Sequence, residues 1–230
     1  MPSRSRLTGV LGTVLAAALC DGCTEPQTGV LTKSWCQPQS ASTVMLDDLE
    51  DGDAAPCDKT VAHWVVHGIG SLIPGPGEEA KPVELPVDDP AWARVSPSFR
   101  AQHLHGSLGP GDWGRLVLPL ANLDLTPFLE LDFWAHSDSP SLNIRVGVAT
   151  STASEYDPFA GDVMITQAWG AGGSINNIPL VGGALARADG TPATDADLAL
   201  ATAITFEAPI GGGEFGFWID DVQLKRRPVQ

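Results

Sequence analysis

The stretch Phe215-Gly216-Phe217-Trp218-Ile219-Asp220-Asp221-Val222-Gln223-Leu224 decides how this chain is read. Phe215, Phe217 and Ile219 alternate in one register, whereas Val222 and Leu224 fall in the other. Side chains of a strand change face at every residue, so a one-residue slip in the apolar phase predicts a bulge. The slip falls on Asp220-Asp221 and aims two carboxylates at the kink. A second acidic knot, Met45-Leu46-Asp47-Asp48-Leu49-Glu50-Asp51-Gly52-Asp53, lies near the other end. Two acidic knots bracketing a β-rich stretch predict first and last strands that meet around a hard cation.

Between the knots the apolar spacing is short and two-fold. Strands are predicted at 61–67, 101–105, 114–120, 128–136, 142–150, 162–169, 201–207 and 214–225, with a weaker one at 174–179. The Ala/Leu-rich run 195–202 reads as one short helix that passes into strand. With 25 glycines and 19 prolines between the strands, the chain reads as all-β. The expected architecture is a β-sandwich of jelly-roll type, with a closed barrel as the alternative.

The clearest pair is 128–136 with 142–150. Leu129, Leu131, Phe133 and Ala135 share one face, opposite Glu130, Asp132, Trp134 and His136. Ile144, Val146 and Val148 continue the apolar pattern, opposite Asn143, Arg145 and Gly147. The turn at 137–141 is expected to make the two a half-buried hairpin.

The 230 residues are 43% hydrophobic, enough for a sizeable core. Thirteen basic and 28 acidic residues give a formal charge of −15, which argues against nucleic acid or an anionic membrane surface as partner. Arg4 and Arg6 precede an uncharged apolar run, 7–19, and Ala16-Ala17-Ala18 offers small residues for cleavage. Residues 1–22 are therefore read as an export signal, too short in its apolar run to span a bilayer. Cys23, preceded by Gly22, is the candidate for lipidation, and plain secretion is the alternative. The expected location is the cell envelope or the exterior. Residues 23–43 are polar and read as a linker, and 44–226 as one domain. Cys36 and Cys57 are the natural disulfide pair in an oxidising compartment. Their bridge would close a loop of about 20 residues and contribute roughly 3 kcal/mol.

Three further stretches join the two knots: Trp113-Gly114, Asp124-Leu125-Thr126-Pro127-Phe128 and Leu131-Asp132-Phe133-Trp134-Ala135. In this order and spacing, with Asp47–Asp53 and Phe217-Trp218-Ile219-Asp220-Asp221-Val222, the chain resembles the galactose-binding-like jelly rolls. It is similar in particular to family-11 carbohydrate-binding modules and related bacterial lipoprotein domains. The resemblance implies a non-catalytic sandwich that binds a polysaccharide or oligosaccharide, with a structural calcium near the two chain ends. Glu50 and Asp221 are then the expected calcium ligands, with Asp48 and Asp220 as auxiliaries. Clustered aspartates without His or Cys suit such a hard cation, and acids that cap turns and face solvent are the alternative.

The resemblance also implies a glycan on an open sheet face. Trp134 and Trp218 occupy the non-core phase of their strands, and an indole offers a flat apolar surface to a pyranose ring. Asp132, Trp134, His136, Arg145 and Trp218 are the expected platform, although Asp132 and Arg145 would equally form a cross-strand ion pair. The runner-up function is a structural or protein-interaction lipoprotein on the same scaffold.

Catalytic patterns are weaker. His63 and His67 share a strand face, but position 64 is Trp, so the HExxH motif is absent. His103 and His105 also share a face without a third ligand nearby in sequence. The Gly211-Gly212-Gly213 run lacks the lysine and hydroxyl of a phosphate loop and reads as a hairpin turn. Glu130 and Asp132, two apart on one strand face at roughly 7 Å, leave a jelly-roll glycoside hydrolase or lyase as the enzyme alternative.

Overall fold

Alternation of apolar and polar residues organises the chain into two antiparallel sheets. The computed structural model describes residues 42–47, 49, 63–85, 100–166, 174–210 and 212–228. All belong to the unit Leu31–Gln230; the other unit, Met1–Val30, lies outside the described residues. So do Cys23, Cys36, Asp48, Glu50 and Cys57.

The strands are β1 (Thr43–Asp47), β2 (Val65–Ile69), β3 (Ser71–Ile73), β4 (Val83–Glu84), β5 (Arg100–Leu108), β6 (Trp113–Leu123), β7 (Phe128–Ser137), β8 (Ser141–Thr150), β9 (Phe159–Thr166), β10 (Ser174–Pro179), β11 (Ala201–Glu207) and β12 (Gly213–Arg226). One helical turn, α1 (Asp195–Leu198), precedes β11. Its N-cap is Thr194, which forms a capping box with Asp197. The larger sheet runs β10-β7-β12-β5-β3, with β1 also paired to β12 and β4 to β5; the smaller runs β2-β6-β11-β8-β9. This is the expected jelly-roll sandwich.

The core between the sheets is filled from alternate positions. Leu104, Phe133, Phe217 and Ile219 come from the larger sheet, and Leu116, Leu118, Ile144 and Phe206 from the smaller. Phe133 meets Phe206 edge to face at 5.1 Å, and Trp64 stacks on Phe206 at 5.9 Å. Each such side chain contributes about 1.5–3 kcal/mol through burial.

The bulge in β12 is present. Asp220 pairs with Trp134 and Gln223 with Asp132, so β12 advances three residues while β7 advances two. Asp221 takes up the extra residue at φ 49°, a left-handed conformation that Asp tolerates better than most residues. Val222 and Leu224 thereby return to the core. First and last strands also meet, since Thr43 pairs with Lys225 and Asp47 with Val222.

The expected hairpin of 128–136 with 142–150 is corrected. β7 pairs with β10 and β12, whereas β8 pairs with β9 and β11. The connection at 137–141 therefore crosses from one sheet to the other. The β11–β12 connection, read from its glycines as a hairpin turn, likewise joins the two sheets. Two short strands follow β2, and both β3 and β4 pair with β5.

Candidate functional site

The outer face of the larger sheet holds four of the five expected platform residues, yet two of its indoles are covered. Trp134 is 4% exposed and Trp218 7%, and both pack with Leu85 and Ala101 in a small apolar cluster of their own. Neither ring face is open to a ligand, so the expected platform on Trp134 and Trp218 is corrected to a packed layer. His136 is 3% exposed, and burial pushes its pKa down to about 3 against partial opposition from Asp138.

Asp138 organises this layer from the β7–β8 crossing. Its Oδ1 accepts from Trp218 Nε1 at 2.7 Å, and its Oδ2 lies 2.9 Å from His103 Nε2. Burial raises its pKa, but the hydrogen bonds from His103 and Trp218 outweigh burial and hold the carboxyl below its usual range. The His103 ring stacks on Trp218 at 3.7 Å and on His105 at 4.6 Å. The Asp138 side chain lies over Gly216, where any Cβ would overlap Oδ2. Gly216→Ala is expected to expel Asp138 and lower stability by about 2 kcal/mol, because the part-buried Trp218 Nε1–H loses its acceptor. Urea unfolding of that variant checks this.

Asp132 is only partly buried, but its Oδ1 is enclosed and has no hydrogen-bond partner among the described residues. Burial first, then Glu130, raises its pKa, with Lys225 opposing. Glu130 itself is paired to Lys225 at 3.2 Å. His63 and His67 do not converge: His63 faces Glu79 at 3.2 Å and His67 faces Glu155 at 3.0 Å.

Arg145 is elsewhere. It lies on β8, on the outer face of the smaller sheet, because β7 and β8 belong to different sheets. The expected grouping of Arg145 with Asp132 and Trp134 is therefore corrected. Register places His67, Arg115, Glu207, Arg145 and Asp162 side by side across β2, β6, β11, β8 and β9. At about 4.8 Å per strand this row extends roughly 19 Å. Asn143, Arg145, Asp162, Glu207, Pro209 and Ile210 line a depression of about 220 Å³.

Beyond Arg115, the row ends in aromatic rings. The loop 151–158 folds back over the sheet and brings Tyr156, 64% exposed, edge-on to Trp113 at 5.8 Å. Tyr156 also stacks on His67 at 6.1 Å, and the Arg115 guanidinium sits 4.5 Å from the Trp113 ring centre. Arg115 is buried and paired to Glu207 at 3.0 Å. Burial lowers its pKa, and Glu207 opposes that shift. The face thus offers the Tyr156 and Trp113 rings and, of the charged row, the half-buried Arg145 and the exposed Asp162, while Arg115 and Glu207 are buried against each other. This combination suits flat polyhydroxylated molecules whose hydroxyls both donate and accept. Arg115 occupies the outward phase of the strand expected at 114–120, and Trp113, one residue before it, shares that phase in the observed strand; Tyr156 lies in a loop and carries no such signal.

At the chain ends, Asp220 is fully buried and its Oδ1 accepts from the Asp221 backbone at 2.7 Å. No group of three His, Cys, Asp or Glu among the described residues converges on a point. The other expected ligands, Asp48 and Glu50, lie outside those residues.

No protein-family model matches this sequence, and no curated protein matches it. Solved structures do. The family 11 carbohydrate-binding module from Clostridium thermocellum in complex with a β-1,3-1,4-mixed-linked tetrasaccharide is similar with a TM-score of 0.55 at 13% identity, over 84% of this chain and 100% of that one. The family 11 module of the cellulosomal cellulase Lic26A-Cel5E of Clostridium thermocellum gives 0.53 at 12%, over 84% and 99%. An exo-β-agarase gives 0.51 at 12%, over 83% of this chain and 25% of that one. At these identities the shared property is the fold, a jelly roll of the carbohydrate-binding-module type.

Proposed function

We propose that this chain is an exported, non-catalytic glycan-binding protein that holds its ligand in the groove on the outer face of the smaller sheet. One observation carries the reading: Trp113 and the exposed Tyr156 stand at one end of a row in which Arg115, Glu207, Arg145 and Asp162 alternate in charge. Ring faces stack on sugar rings, and Arg145 and Asp162, the less buried charges of the row, offer a donor and an acceptor to hydroxyls. The fold supports it, because the family 11 modules of the same architecture include one solved with a bound tetrasaccharide. Export rests on the basic and apolar N-terminal run, with Cys23 as the site of any lipid anchor.

Affinity electrophoresis tests the groove with native gels containing mixed-linkage β-glucan, xylan, galactan or low-melting agarose. At least one polysaccharide is expected to retard the protein, and Trp113→Ala and Tyr156→Ala each to weaken that retardation at least tenfold. Absence of retardation in all four gels favours the alternative, a protein-interaction or structural role on the same scaffold.

The reading includes a structural calcium. The pairing of Asp47 with Val222 puts the end of β1 beside the bulge that carries Asp220 and Asp221. Asp48, Glu50, Asp220 and Asp221 supply only oxygen ligands, which suits a hard cation. When bound, the ion would join the two chain ends of the domain. Chelator is expected to lower the melting temperature and added calcium to restore it, as linkage requires of an ion bound by the folded state alone. Identical melts with and without chelator would remove calcium from the reading.

A further inference from the structure

The charged row offers two cross-strand ion pairs of the same kind, and only one of them is closed. Arg115 and Glu207, opposite each other on β6 and β11, meet at 3.0 Å with their side chains buried. Arg145 and Asp162 are opposite each other on β8 and β9 in the same way. Facing Cβ atoms on neighbouring strands stand about 5 Å apart, within reach of an Arg–Asp pair. Yet neither an ion pair nor a hydrogen bond joins these two side chains. Arg145 makes one long hydrogen bond, from Nη2 to the Ala186 carbonyl at 3.4 Å, and that oxygen already accepts from the Ala160 backbone at 2.9 Å. The Asp162 carboxylate is exposed and has no hydrogen-bond donor among the described residues.

Both side chains instead line the depression of about 220 Å³, together with the exposed Asn143 and an apolar wall of Pro209 and Ile210. Trp113 stands level with Asn143, because β6 and β8 both run antiparallel to the β11 strand between them. Two strand spacings, roughly 10 Å, separate them, so the depression continues the face that carries the rings. A guanidinium supplies only donors and a carboxylate only acceptors. A hydroxyl is both, so neighbouring hydroxyls of one sugar ring satisfy Arg145 and Asp162 together. A carboxylate or sulfate group satisfies Arg145 alone and meets Asp162 as a like charge. Glu207 does not enter this balance, since its charge is committed to Arg115.

We propose that the open Arg145–Asp162 pair makes the groove selective for a neutral sugar unit with vicinal hydroxyls and rejects a carboxylated or sulfated one. This rests on the groove being the glycan site. Asp162 sets the sign of the selection, because a depression with Arg145 as its one open charge would favour an anionic ring. The formal charge of −15 also repels anionic polymers from the molecule as a whole. A test must therefore separate the local carboxylate from that general field.

The polysaccharide that retards wild type most strongly in the four gels named above is used unmodified, hydroxyethylated and carboxymethylated, the last two matching substituent size but not charge. Wild type is expected to be retarded at least tenfold more weakly by the carboxymethylated form than by the hydroxyethylated one. Asp162→Asn is expected to narrow that gap to threefold or less. Glu214→Gln makes the same change of charge at an exposed position on the larger sheet and should leave the gap within twofold of wild type. Arg145→Gln is expected to weaken retardation by the unmodified polymer at least fivefold. Equal retardation of wild type by the two derivatives, or a gap that Asp162→Asn narrows no more than Glu214→Gln does, overturns the selection by charge. Arg145→Gln within twofold of wild type, with Trp113→Ala defective, overturns the role of the pair and leaves the groove standing. Absence of retardation of the wild type in every gel overturns the groove and the proposal with it.

Discussion

Asp47→Ala is expected to lower stability by about 3–5 kcal/mol, since it strands two buried donors at once. For a domain of this size that corresponds to roughly 8–15 °C in melting temperature. Asp47 is buried at the end of β1, where Oδ1 accepts from the Leu49 backbone at 3.0 Å and Oδ2 from Trp64 Nε1 at 2.6 Å. Trp64 is fully buried and stacks on Phe206, a core residue of the smaller sheet. The carboxylate thus ties the first strand of one sheet to the segment that opens the other. Removing it leaves a buried indole N–H and a peptide N–H without this acceptor. Asp47→Asn keeps one carbonyl acceptor and should lose about half as much. Thermal unfolding of both variants checks the order, and an Asp47→Ala melt within 2 °C of wild type would refute the tie.

The same residue shows what the sequence discloses and what it withholds. Asp47 reads as one more acid in a knot, and nothing local distinguishes it from Asp48. Its role depends on Trp64, 17 residues on, in a segment that belongs to the other sheet. Strand positions, by contrast, were legible because two-fold alternation is a local property. The slip between Ile219 and Val222 even located the bulge, since a strand buried on one face must restore its phase within a residue or two. Connectivity was not local. A short turn after β7 serves a hairpin or a sheet crossing equally well. The structure takes the crossing, in which the Asp138 amide donates to Gly216 and its carboxylate reaches His103 and Trp218.

That crossing also explains the displaced site. With β7 and β8 taken as a hairpin, Arg145 joins Trp134 on one face; in the sandwich they face away from each other on opposite sheets. Phase along a strand tells which way a side chain points but not what covers it. Trp134 and Trp218 do point outward, as read, and are then covered by Leu85 from a remote segment. Trp113 points outward too, with a partly exposed ring. The distinction lies in tertiary packing, beyond the reach of periodicity.

The covered layer should make the protein acid-sensitive, and the sign follows from His136. Its folded pKa of about 3 lies below the ordinary 6.5, burial being the largest cause. The folded state therefore keeps the imidazole neutral, while the unfolded chain takes up a proton as pH falls below about 6.5. Stability from this group is complete above pH 6.5 and is lost progressively toward pH 3. At 1.36 kcal/mol per pH unit the loss at pH 4 is roughly 3 kcal/mol, approaching 5 near pH 3. Asp138, also held below its ordinary value, adds a further loss in the same direction once pH drops below the carboxylate range. His105, lowered by burial and by His103, contributes with the same sign. Among the described residues, the titratable groups acting on His136 are Asp138 from the β7–β8 crossing, which opposes the shift, and His103 across β12, which adds to it, and neither reverses the trend. Urea midpoints measured from pH 7 to pH 4 should fall steeply in wild type and much less in His136→Gln, which cannot take up the proton. Parallel pH profiles for the two proteins, or an imidazole that titrates near 6.5 by NMR, would show that His136 is not held neutral by the fold.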